Sequence, residues 1–281
     1  MTTATMGTKT SERWRVQKDV GKAIRNARDY PPLGGMRIVS KKEDRTMAQL
    51  ANIPTSSAYD NGHSPGTGKR TMRILVIGAT RGTGQQVMQQ ALAAGHTVTA
   101  LARDPARLDV RHDRLSVVRG DVLDPATLAP AMAGQEAVIS SIGVTSRGPT
   151  TLYSDGMRHI IQAMHATGVK RLVAVSAWPL SSDDGDTLPA RLLLKPLIWA
   201  LLRPVYADMA TMEDEIRNSG LDWTIVQPPR LTDKPATGRY RTALNRSVRR
   251  GYVIARADLA GAILTLLDDP TAIRAAIGIG Y

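Results

Sequence analysis

Three glycines fall within one seven-residue run, Gly78-Ala79-Thr80-Arg81-Gly82-Thr83-Gly84, directly after the apolar stretch Ile74-Leu75-Val76-Ile77. Glycine adopts positive φ without steric cost, and it lets backbone or ligand approach where a Cβ would intrude. A helix that starts inside such a run presents N–H groups with no partner in the helix, and these can meet phosphate charge. Strand, glycine turn and helix together form the context in which this pattern cradles the pyrophosphate of a dinucleotide. The expected phosphate-binding residues are therefore Gly78, Thr80, Arg81, Gly82, Thr83 and Gly84.

Three more apolar runs end in residues suited to the same ligand. Ala102-Arg103-Asp104-Pro105 offers a guanidinium where a carboxylate would select a free ribose, so Arg103, seconded by Arg81, points to the 2′-phosphate of NADP(H); Asp104, one residue on, keeps NAD open. Gly120-Asp121-Val122 places an acid and adjacent backbone where an adenine edge would lie, and Ser140-Ser141-Ile142-Gly143 falls where a nicotinamide ribose would lie. Other chemistry finds less support. Gly68-Lys69 lacks the P-loop pattern, because His63 stands at its first glycine and Arg70 at its Ser or Thr. His159 and His165 are six apart, on different helix faces, and no metal site is expected. Asp183, Asp184 and Asp186 read as a solvated loop rather than a cation site.

The elements that must position these residues alternate in period. Apolar runs at 73–78, 97–102, 115–119, 137–141, 172–176 and 223–227 predict six strands, and helical periodicity predicts helices at 84–94, 124–132, 153–167, 209–218 and 256–268. The pattern is that of a doubly wound α/β sheet, Rossmann-like, spanning 71–281 as one domain, with substrate-facing segments near 178–206 and 228–252. The apolar stretch from Arg191 to Leu202 is expected to form a lid over the acceptor, with an oligomer surface or an interfacial helix as the other readings.

The runs Gly120-Asp121-Val122-Leu123, Ala133 to Ile139, Pro149-Thr150-Thr151, Tyr153-Ser154-Asp155-Gly156 and Ser219 to Pro229 carry a family signal. They resemble the short-chain dehydrogenase/reductase superfamily, in particular its atypical NAD(P)H-binding branch, with flavin reductases of the biliverdin reductase B type and NmrA-like proteins. The resemblance implies that Pro228 lines the nicotinamide end of the pocket, and that Ser176, followed by Ala177 rather than a second hydroxyl residue, orients the nicotinamide or acceptor. Standard members use a Tyr and a Lys four residues apart; Tyr206 is followed at that spacing by Ala210. Ser176 and Tyr206 are thus the expected catalytic residues, without the Tyr–Lys proton relay. Arg81 stands where the atypical branch usually has glycine.

The chain has 281 residues, 42% hydrophobic, no cysteine and no phenylalanine. Lacking cysteine, it has no disulfides or thiolate sites and suits a reducing compartment. No stretch of about 20 apolar residues or signal-peptide layout appears, so a cytoplasmic location without a membrane span is expected. Of the net charge of +12, residues 1–70 carry 13 Lys and Arg against 6 Asp and Glu, and the remainder 24 against 19. Residues 1–70 are expected to be a disordered basic extension, with a short amphipathic helix around Trp14 to Ala27. Met72 could itself be a start, leaving a dispensable leader; a targeting or anionic-surface arm is the other reading. The expected function is an NADPH-dependent oxidoreductase passing hydride to a small conjugated acceptor such as a flavin or quinone, as monomer or homodimer, with no nucleic-acid partner. The alternative is a non-catalytic NADP(H)-binding sensor.

Overall fold

The computed structural model describes residues 70–144, 148–182 and 184–281; the expectations for residues 1–69 lie outside the described residues. Six strands match the predicted runs: β1 (Arg73–Ile77), β2 (Thr97–Ala102), β3 (Leu115–Arg119), β4 (Ala137–Ser140), β5 (Arg171–Val175) and β6 (Asp222–Gln227). They pair in parallel in the order β3-β2-β1-β4-β5-β6. Sequence order reverses between β1 and β4, the point at which a doubly wound sheet opens a crevice at its carboxyl edge.

Four further strands go beyond the sequence expectation: β7 (Arg230–Thr232), β8 (Arg241–Leu244), β9 (Val253–Ala255) and β10 (Ala275–Gly280). β10 extends the sheet parallel to β6, β8 closes its edge antiparallel to β10, and β7 pairs with β9 separately. β10 escapes sequence reading because alanine and glycine have weak strand propensity. Its glycines answer to packing: a Cβ at Gly278 would stand 2.2 Å from the Arg246 carbonyl oxygen, and one at Gly280 would stand 2.9 Å from Gly251 backbone.

The helices are α1 (Gly82–Ala93), α2 (Leu128–Met132), α3 (Leu152–Thr167), α4 (Lys195–Leu201), α5 (Arg203–Asn218) and α6 (Arg256–Leu267). Strand alternation sends Ile74 and Val76 to one face, under α1 and α6, and Leu75 and Ile77 to the other, under α3 and α5. With no phenylalanine available, Met88, Met132, Met157, Met164 and Met212 fill large core positions. α5 starts six residues before the predicted Met209, with Pro204 in its first turn, where a missing N–H costs no helical bond. That extension brings Tyr206 and Asp208 onto a helix.

Candidate functional site

The three turn glycines divide their work. Gly78 has φ +84°, and a Cβ there would lie 2.3 Å from the Ser141 carbonyl oxygen, so it lets β1 and β4 converge. A Cβ at Gly84 would lie 2.2 Å from the Gly78 oxygen, so this glycine seats α1 against the strand. Gly82 is different. It has φ +60°, and its Cβ would meet no backbone, only the Arg256 side chain at 3.6 Å. The turn is thus open to an approaching group at Gly82. Beside it, Arg81 stands at the N-cap position of α1 with no side-chain cap hydrogen bond, and no acid lies in the first turn, so no side chain closes the leading N–H groups. Thr83 is buried and Thr80 half-buried.

α3 makes a useful contrast. Its leading N–H groups from Tyr153 and Ser154 donate to the buried Asp208 carboxylate at 2.9 and 3.1 Å, and the Ser154 hydroxyl does so too. Two helices thus begin at this edge. One is closed by a protein carboxylate, and the other has no side-chain cap.

Arg81 and Arg103 are both exposed, and neither makes an ion pair among the described residues. Asp104 is engaged elsewhere: its carboxylate caps the short turn after it, accepting from Ala106 N–H at 3.3 Å, and faces Arg107 at 3.4 Å. Arg119 at the end of β3 is exposed as well, and Arg256 reaches over the glycine turn while paired with the exposed Asp233 at 2.6 Å. Arg256 lies far along the chain from the turn, so no local motif could reveal it.

Asp121 is half-buried, and one carboxylate oxygen accepts from Leu123 N–H at 3.0 Å in a local turn. Val122 is buried beneath Gly156, and its carbonyl meets His159 Nδ1 at 2.9 Å. Ser141 donates its N–H to the Ile77 carbonyl at 2.9 Å, fixing the β4 tip; Ile142 follows half-buried and Gly143 exposed. Val144 N–H donates to the Tyr153 phenol oxygen at 3.3 Å, so Tyr153 braces this loop.

Ser176 is buried at the end of β5, its hydroxyl donating to Glu213 at 2.5 Å. Glu213, buried on α5, also accepts from Gln227 Nε2 at 2.9 Å and from Arg217 at 2.7 Å. Three donors satisfy this carboxylate inside the fold. Pro228 is buried at the β6 exit, and its carbonyl accepts from Trp178 N–H at 2.8 Å, tying that exit to the segment after Ser176. Tyr206 is half-buried two turns before Glu213 and stacks on Trp199, centroids 5.8 Å apart. Burial, followed by the neighbouring Tyr153, holds the Tyr206 phenol above its ordinary pKa. Burial does the same to Tyr153, with the Asp208 charge adding to it against the Val144 hydrogen bond. Both stay protonated at neutral pH, unlike the tyrosine of a Tyr–Lys pair.

Among the described residues, no group of three or more His, Asp or Glu converges as a metal site. The acidic loop is not wholly solvated as expected: Asp186 is buried in an ion pair with Lys195 at 2.6 Å, Asp184 is exposed, and Asp183 lies outside the described residues. Among the described residues no helix is long and apolar enough to cross a membrane.

A UPF0659 protein of Saccharomyces cerevisiae is 28% identical over 215 residues, covering 72% of this chain and 89% of that protein. A (4-alkanoyl-5-oxo-2,5-dihydrofuran-3-yl)methyl phosphate reductase of Streptomyces griseus is 32% identical over 155 residues, 55% of this chain and 46% of its own length. The structure of a short-chain dehydrogenase/reductase from Veillonella parvula, in complex with NADP, aligns with TM-score 0.61 at 19% identity over 75% of this chain and 95% of that one, a likeness of fold. A family model described as NAD(P)H-binding matches residues 78–270, so the chain belongs to this family of Rossmann-fold NAD(P)-binding oxidoreductases.

Proposed function

We propose that the chain is an NADPH-dependent reductase that passes hydride to a small conjugated acceptor such as a flavin or quinone. The observation that carries the cofactor reading is the uncapped start of α1 beside an open Gly82, bordered by exposed Arg81 and Arg103. The uncapped N–H groups of Gly82, Thr83 and Gly84 would hold the pyrophosphate, with Arg256 alongside. Arg103 would take the 2′-phosphate, and engagement of Asp104 in its own turn supports NADP over NAD. Asp121 and Val122 would border the adenine, Ser141, Ile142 and Gly143 the nicotinamide ribose, and Pro228 the nicotinamide ring. Bound NADPH supplies a hydride, two electrons and a proton nucleus, to the acceptor.

The proposed residue roles follow from their partners. Ser176 donates its hydroxyl hydrogen bond to Glu213 and keeps its lone pairs, which suits it to accept a hydrogen bond from a ligand N–H and orient that ligand. Tyr206, protonated and stacked on Trp199, offers a donor and a flat wall on the acceptor side. Solvent supplies the balancing proton, and no Tyr–Lys relay is required. The Streptomyces relative, named as a reductase of a small phosphate ester, supports the reaction class. The missing relay also favours a second reading, an NADP(H) sensor without turnover.

Binding of NADPH and NADH followed by cofactor fluorescence, with NADPH consumption recorded as flavin and quinone are added, tests both. Tight NADPH binding with acceptor-dependent consumption is expected. Binding without consumption selects the sensor, and absence of binding removes both readings.

A further inference from the structure

Residues 188–201 form a helix that is inside out. Leu188, Leu192, Leu193, Leu197 and Leu201 are 64–70% exposed, whereas Lys195 on the opposite face is buried. The Lys195 ammonium pairs with Asp186 at 2.6 Å, donates to the Ser181 carbonyl at 2.9 Å and lies 5.3 Å from the centre of the Trp178 ring. Trp199 adds the stack on Tyr206. The helix is therefore anchored by polar and aromatic contacts and turns its leucines to solvent.

The leucine spacing suits one stripe. Leu188 to Leu192 and Leu197 to Leu201 are four apart, but Leu192 to Leu197 is five. That interval crosses the π-helical turn Ala190–Leu194, whose wider repeat absorbs the extra residue and keeps the stripe on one side. Exposed leucines at this density mark an interaction surface.

Charge decides among its occupants. Arg249 and Arg250 line the same hollow as Leu188 and Pro189, and they and Arg246 are exposed without ion pairs among the described residues. Arg203, exposed, starts α5 just beyond the stripe. Of the acids beside this surface among the described residues, Asp186 is neutralised by Lys195, and Asp184 is exposed and accepts from the Ser182 hydroxyl. A lid would turn its leucines into the cleft. A two-fold dimer would set this cationic rim against its own copy. An anionic bilayer matches both features, with leucines entering the headgroup boundary and guanidinium groups on lipid phosphates. We infer that the 188–201 helix and the 246–250 turn form a docking surface for an anionic membrane, lying on it without crossing it.

The test is co-sedimentation of the full chain with phosphatidylglycerol vesicles and with phosphatidylcholine vesicles. The chain is expected to pellet with the first and remain largely free of the second. Leu192→Glu with Leu193→Glu is expected to weaken phosphatidylglycerol binding at least about tenfold, and Arg249→Glu with Arg250→Glu to weaken it and flatten its salt dependence. Because these side chains are exposed, far-UV circular dichroism should match the parent. A leucine variant that pellets like the parent would move the attachment to other residues. A parent that does not pellet, or a dimer dissociated by the leucine variant, would overturn the proposal.

Discussion

Arg103 and Asp104 are neighbours of opposite charge, and the folded chain gives them different partners. Asp104 is spent on its own turn and Arg107, whereas Arg103 projects without an ion pair among the described residues. If Arg103 holds the 2′-phosphate, Arg103→Asp should weaken NADPH about 10- to 100-fold more than NADH, the worth of one or two charge-assisted hydrogen bonds. Titrating both cofactors by fluorescence decides it, and equal weakening removes Arg103 from the phosphate site. Asp208 makes a different claim, about stability. It closes α3 with three hydrogen bonds while buried, so Asp208→Ala should cost about 2–3 kcal/mol, read as a lower urea midpoint at unchanged slope. An unchanged midpoint would mean that water or another side chain closes α3 equally well. Residue types alone marked the glycine turn, because glycine at that spacing has few other uses. They could not mark Asp208, Glu213 or Lys195, whose buried partners lie tens of residues away or on another turn, and surface acids and lysines share the same letters.

Elements were legible where one local signal dominated. β1, β2 and β4 are apolar runs beside turn residues, and their ends agree with the sequence reading within about a residue. α5 extends further than the 209–218 periodicity predicts, because its first turn carries Pro204, which is at home there but does not signal a helix. The end of the chain was less legible, because β10 and α6 are joined by side chains rather than by pattern. Asp258, buried at the start of α6, accepts from Thr237 and Gly238 N–H groups and from the Tyr281 phenol, clasping the 233–239 segment and the last residue. Burial pushes its pKa up, but these hydrogen bonds, led by that from Tyr281, outweigh it and hold the carboxyl below its ordinary value. A folded-state pKa below the unfolded one contributes stability at neutral pH that is lost as pH falls below about 4 and through the folded value. Asp258→Asn should be less stable than the parent at neutral pH and lose less on acidification. Urea midpoints for both proteins at neutral and acidic pH test this; parallel losses would show that other carboxylates carry the acid response.

At the scale of the whole molecule, the proposed cofactor site would link binding to folding, because only the folded sheet brings α1, the β2 tip and α6 together. A ligand that binds only the folded state at a hundred times its Kd stabilises by about 2.7 kcal/mol, which for a fold of this size raises Tm by roughly 5–10 °C. Two glycine variants separate the architecture of the turn from its use. Gly84→Ala places a methyl 2.2 Å from the Gly78 oxygen, so it should lower Tm without ligand through overpacking worth about 1–3 kcal/mol. Gly82→Asp meets no backbone and asks an aspartate to adopt φ +60°, which aspartate tolerates better than most residues. Its cost to the unliganded fold should be the smaller of the two, yet its carboxylate would stand where the pyrophosphate is proposed to bind. The NADPH-induced rise in Tm should therefore disappear in Gly82→Asp while its unliganded Tm stays closer to the parent's than that of Gly84→Ala. A full NADPH-induced rise in Gly82→Asp would place the phosphate elsewhere on the edge and leave the glycine turn as a packing device alone.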